Sequence, residues 1–272
     1  MSHIPLQRVI VRMLYDTAFR SAVYADSVEA LAGVAVSSEE AGWVTALDPR
    51  AYATDPHVRG RSLHGLLSEY SVSGALALRG GVDLDSFFSS DAFHGGIQGG
   101  HSLALTFGGW LSAATDESGD RGSFARIETG MAALRRGAGE APDAEFVLAP
   151  HLRLVTVANG ALGHFQAVLT GMQAQNADPR TVALDTRYLV PPVQLVGEES
   201  EFVLLEDSQS GVGAEILSAG LGDIVSAAAV GVSRSVLMEC LSKHDVSGLE
   251  ADGVLDGLVA DGLLCRSAQG VS

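Results

Sequence analysis

Histidine and cysteine are the side chains whose spacing in this sequence most invites a chemical role. His94 and His101 stand seven residues apart at the ends of a glycine-rich stretch, FHGGIQGGH. On one helix that is two turns, about 11 Å of rise, too far for both rings to reach a single metal ion. His57 and His64 repeat the spacing, and all four are expected to be polar helix-surface or interface residues. Cys240 precedes His244 by four residues, which puts thiol and imidazole on one helix face, the pairing an activated nucleophile uses. A cysteine inside an amphipathic helix is more commonly a small apolar core residue. Asp83 with Asp85, and Glu39 with Glu40, are carboxylate pairs only by adjacency, and helix starts explain them better. The chain carries no HExxH, GxSxG, P-loop or dinucleotide fingerprint after a strand. With no convergent acid, base, nucleophile or ligand set, no catalytic residue and no metal site is assigned, and a non-enzymatic role is expected.

Composition narrows the role further. The 272 residues are 47% hydrophobic and 18% charged, enough for two domains and a sizeable core. A formal charge of −16 argues against nucleic acid and anionic membranes and favours a basic partner surface. The acidity is concentrated late: from residue 181 onward the cations are Arg187, Arg234, Lys243 and Arg266, against fourteen Asp and Glu. Two cysteines are too few for a disulfide framework or a four-ligand zinc site. The first residues lack the apolar run of a signal peptide, and no segment is apolar enough to span a bilayer, so a cytoplasmic protein is expected.

The elements that must position any site follow from periodicity and caps. Leu6, Val9, Ile10, Met13 and Leu14 mark an amphipathic first helix. Asp16 and Thr17 cap a second to Ala25, and Asp26 with Ser27 starts a short turn. Ser37 to Glu40 has the form of a capping box for a helix carrying Trp43, Val44 and Leu47. Helical spacing continues from about Asp55 to Tyr70, over 72–112, and again from Phe124 to Leu134 after a loop or hinge at 115–122. Short strands are expected at 146–148 and 152–157, then a helix through Gln173, with 178–197 extended or loop. A hairpin at 201–206 and 212–217 precedes helices at 219–229, 233–244 and 250–262. The fold class is α+β. Residues 1–140 form a helical domain, 141–200 connecting strands, helix and loop, and 201–272 a small winged-helix-like module. A winged helix for DNA needs phosphate-neutralising cations, so this acidic one is expected to bind peptide or protein.

The hairpin at 201–217, with helices carrying Ala219 to Val225, Ser235 to Leu241 and Val254 to Leu264, resembles the RiPP recognition element. That is the PqqD-type fold used to bind the leader of ribosomally made, post-translationally modified peptides. The stretches Arg12–Asp26, Trp43–Tyr52, Asp55–Arg59, Glu69–Ser73 and Phe87–His94 are similar to accessory subunits of multinuclear nonheme iron-dependent oxidases. The resemblance implies a non-catalytic partner that binds a precursor peptide through its C-terminal module and an oxidase through helical surfaces. The iron and the oxidation of a peptide residue, often cysteine, then belong to the oxidase, with no cofactor in this chain. Leader binding by strand addition would use the 212–217 edge, with Val212, Ala214, Glu215 and Ile216, and a groove lined by Leu255, Leu258 and Val259. An acidic rim of Glu215, Asp252, Asp256 and Asp261 would favour a leader carrying Lys or Arg. The early helices also resemble the helical subunit of aromatic-ring-opening dioxygenases, the competing reading. A winged-helix DNA regulator is disfavoured by charge.

Overall fold

The computed structural model describes residues 3–53, 57–116, 121–137, 144–191, 200–209, 211–246 and 248–266. Its architecture is α+β, a helical N-terminal region followed by two small sheets and more helices. The chain begins with α1 (Ile4–Tyr15), α2 (Thr17–Ala25), α3 (Ser27–Ala30) and α4 (Ser38–Ala46), then a 3-10 turn over Pro49–Ala53. Their apolar faces meet in a small core that includes Val9, Met13, Phe19, Val23 and Val44. The expected caps are present. Phe19 donates its amide to Asp16 Oδ1 at 2.9 Å, Asp26 accepts from Val28 and Glu29, and Ser37 and Glu40 form a reciprocal capping box.

A second group of helices surrounds the largest core. It comprises α5 (Val58–Leu66), α6 (Ser71–Arg79), a 3-10 segment Leu84–Ser89, α7 (Asp91–Gly99), α8 (Leu103–Asp116), α9 (Arg121–Arg135), α10 (Ala161–Gln173) and α11 (Pro179–Leu184). Tyr70, Phe87, Phe88, Phe93 and Phe107 are fully buried there, with ring centroids 5.0–5.5 Å apart in mostly edge-to-face pairs. The expected hinge at 115–122 has its centre, 117–120, outside the described residues. Of the stretch 178–197 expected to be extended or loop, 192–197 lie outside the described residues and 179–184 form α11 instead, because Asp178 caps it through the Arg180 amide and Pro179 occupies the first turn. Arg79 then holds this stretch, donating to the carbonyls of Ala183, Val182, Asp185 and Tyr188.

The remaining elements are β1 (Phe146–Leu148), β2 (Leu152–Ala158), β3 (Ser200–Ser208), β4 (Gly211–Leu217), α12 (Ala219–Ala229), α13 (Arg234–Ser242), α14 (Gly248–Ala260) and β5 (Leu264–Arg266). β2, β3 and β4 form an antiparallel sheet in that order, and β1 pairs with β5 in a second, two-stranded sheet. β3 is therefore central. Its partner β2 comes from the stretch read from sequence as a connection, so the sheet of the C-terminal module is completed by residues well before 201.

Strand alternation gives this sheet two buried faces. Val203 and Leu205 point into the large core with Val155 and Val157, against α9. Leu152 and Leu204 point the other way, into a cluster with Val225 of α12. Two glycines permit the close approach. A Cβ on Gly130 of α9 would lie 2.5 Å from Leu205 Cδ1, and one on Gly222 of α12 would lie 2.1 Å from Phe202 Cδ2. A further core, with Phe146, Ile224, Leu237, Leu241, Leu255 and Leu264, binds α12, α13 and α14 to the β1/β5 pair.

Candidate functional site

β4 is the outer strand of the three-stranded sheet, and no described residue pairs with its free edge. Two residues separate β3 from β4, so Ser208 and Gly211 form the hydrogen-bonded pair nearest the turn. Narrow and wide pairs alternate from there, which turns the amides and carbonyls of Val212, Ala214 and Ile216 outward. Ile216 is 55% exposed, and Glu215 is exposed beside it. The edge thus offers seven residues of backbone, three of them with outward hydrogen-bonding groups and one with a bare apolar side chain.

The residues expected around this edge do not form one groove. Val212, Ala214 and Ile216 stand opposite Asp207, Leu205 and Val203, so they share the sheet face that packs on α9, and Val212 and Ala214 lie against the large core. Leu255 lies in the other core with 0% exposure, and Leu258 and Val259 are partly buried against the same core. α14 packs chiefly against α13 and β5. Period-two alternation is the physical reason: β4 directs its even-numbered apolar residues away from the α12 side, where only Glu215 and Leu217 project. Leu255 is therefore core and is not available to a ligand. The acidic rim is partly neutralised, since Asp252 pairs with Arg234 at 2.5 Å and Asp256 pairs with Arg266.

The histidines, Cys240 and the adjacent carboxylates have structural roles, with one exception. His57 precedes α5, and His64 is exposed on it. His244 sits 3.0 Å from Asp223 of α12 instead of serving Cys240, whose thiol is free. Asp83 accepts from the Asp85 amide, and Asp85 pairs with Arg59 at 2.7 Å. No group of three or more His, Cys, Asp or Glu able to hold a metal ion occurs among the described residues. No described helix is long and apolar enough to cross a membrane. No protein-family model matches the chain, and no curated protein matches it.

The exception is His94. His101 lies past the end of α7, after Gly100 turns the chain at φ +69°, whereas His94 is inside α7 and only 8% exposed. It lines a cavity of about 200 Å³ between α1, α7 and the loop at 33–35. Arg8 and Arg12, four residues apart on α1, reach the same cavity. Asp16 stands behind them, with Oδ2 3.0 Å from His94 Nε2 and 3.7 Å from Arg12 Nε. His94 Nε2 makes no hydrogen bond despite this proximity, and Arg12 Nε, at 3.7 Å, is beyond hydrogen-bond reach of the carboxylate. Burial, then the charge of Arg12, holds the His94 imidazole below its ordinary pKa, and Asp16 only partly opposes that. The signal in the sequence was the Arg8–Arg12 spacing beside an apolar helix face.

Two carboxylates absent from the sequence reading are also buried. Glu128 of α9 accepts the amides of Val72 and Ser73 at 3.0 Å each, together with the Ser73 hydroxyl, and so caps α6 from another helix. Burial pushes its pKa up to about 7 against these hydrogen bonds. Glu201 of β3 accepts from Gly160 and Leu162 and caps α10 in the same manner.

Proposed function

We propose that this chain is a non-catalytic partner protein. An extended segment of a ribosomal precursor peptide adds to β4 as a fourth strand, and helical surfaces of the N-terminal region dock a multinuclear nonheme iron-dependent oxidase. The oxidase holds the iron and modifies the peptide. The observation that carries this reading is the unpaired edge of β4, whose outward amides and carbonyls are the groups a β-strand ligand requires. Exposed Ile216 offers one side-chain contact, and Glu215 with the overall charge of −16 favours a leader carrying Lys or Arg.

Titration of the full chain with its precursor peptide tests the proposal. Ala214→Pro removes an outward amide while leaving the β3 ladder bonds in place, and is expected to weaken binding about tenfold or more. Equal binding by wild type and Ala214→Pro would overturn the assignment of the edge. Tightly bound, stoichiometric iron in the isolated chain would overturn the partner role itself.

A further inference from the structure

We infer that the cavity between α1 and α7 is a binding site for a small carboxylate with an apolar stem. Arg8 and Arg12 bring two like charges onto one helix face four residues apart, a mildly unfavourable pair whose repulsion an anion between them would relieve. Arg8 makes no ion pair or hydrogen bond among the described residues. Arg12 stacks over Phe19, its guanidinium carbon 3.8 Å from the ring centroid, and reaches Asp16 only at 3.7 Å. Asp16 is itself engaged in capping α2 through the Phe19 amide and does not line the cavity. Two charges therefore face a hole in a chain whose net charge is −16.

Two buried nitrogens at the cavity make no hydrogen bond: Arg12 Nε, a donor, and His94 Nε2, a donor in one of the two neutral tautomers. A buried donor left unsatisfied is costly, and an anionic oxygen would satisfy it. The planar guanidinium fork matches a carboxylate in two parallel bonds. The rest of the lining decides the ligand class. Val9, Val34 and Ile97 present hydrocarbon, which suits an acid with an alkyl or aryl stem and penalises phosphate or sulfate, whose oxygens would be buried on all sides. A volume of about 200 Å³ fits a compact acid and is too small for a nucleotide.

Calorimetric titration of the full chain with benzoate and with hexanoate tests this, with hexanol and inorganic phosphate as parallel probes. Saturable binding of at least one acid, with neither hexanol nor phosphate binding, is the expected result. Arg8→Met, at a half-buried side chain without a partner, should weaken the acid about tenfold. Ala35→Glu, which sets a negative charge on the exposed rim, should do the same and keeps the test open if Arg8→Met does not fold. Failure of both acids to bind up to on the order of 10 mM overturns the inference. So does phosphate binding as tightly as the acids, or affinity unchanged in a folded variant.

Discussion

Glu128 sits where a single side chain decides how two helices meet. The ordinary carboxyl pKa of 4.5 is raised to about 7 by burial, so the folded state holds a proton that the unfolded chain releases. Stability from this group is fully present below about pH 4.5 and is lost as pH rises through about 7, by no more than roughly 3 kcal/mol. His94 acts oppositely. Its lowered pKa adds stability above its ordinary value of 6.5 that is lost in acid. Asp178 and Asp185, held near 2 by Arg180 and Arg187, titrate below this window. The clean measurement is therefore a difference. Urea denaturation of Glu128→Gln at pH 5 and pH 8 should lack the loss of stability with rising pH that the wild type carries from this residue. An identical pH dependence in both proteins would remove Glu128 from that role. Nothing near Glu128 in sequence announces its function, because the amides it caps belong to residues 72 and 73, more than fifty positions away. Asp16 and Ser37 are legible for the converse reason, since each caps the amide three residues ahead.

Elements with local signals matched expectation closely: α10, α12 and the β3–β4 hairpin fall at the positions that periodicity and turn residues indicate. α11 escaped because the extended reading of Tyr188 and the prolines outweighed the Asp178-Pro179 start signal. The site expected at β4 and α14 escaped for a topological reason. Each element was legible alone, but the face each presents depends on β2, which joins β3 from far back in the chain. Helix-to-sheet distance makes the same point energetically. Gly222→Ala should destabilise the fold by roughly 1–3 kcal/mol, since its methyl would overlap the Phe202 ring and outweigh the gain in helix propensity. Gly253→Ala, in the exposed middle of α14 with nothing within 4 Å, should instead stabilise it by about 0.5–1 kcal/mol. Melting curves of the two variants should shift in opposite directions, and a shared direction would refute the packing assigned to α12.

Across the whole molecule the pairing of β2 with β3 means that the C-terminal module is not a self-contained bead at 201–272. A fragment beginning at 201 loses β2, the α9 layer over Val203 and Leu205, and Phe146 of the other core. It should fail to unfold cooperatively, whereas the full chain should give a single sigmoidal transition by circular dichroism. A cooperative fragment would show that α12 alone can shield the sheet. The open edge of β4 also reaches beyond any peptide. A strand with unsatisfied backbone is a template for a second copy of itself, and β4 carries no proline, lysine or bulge to discourage that. Glu215 on the strand and the surplus of negative charge oppose such pairing while the carboxylates are ionised. As the carboxylates protonate in acid, the strand suited to accept a guest becomes the seam along which copies of the chain would join into one continuous sheet.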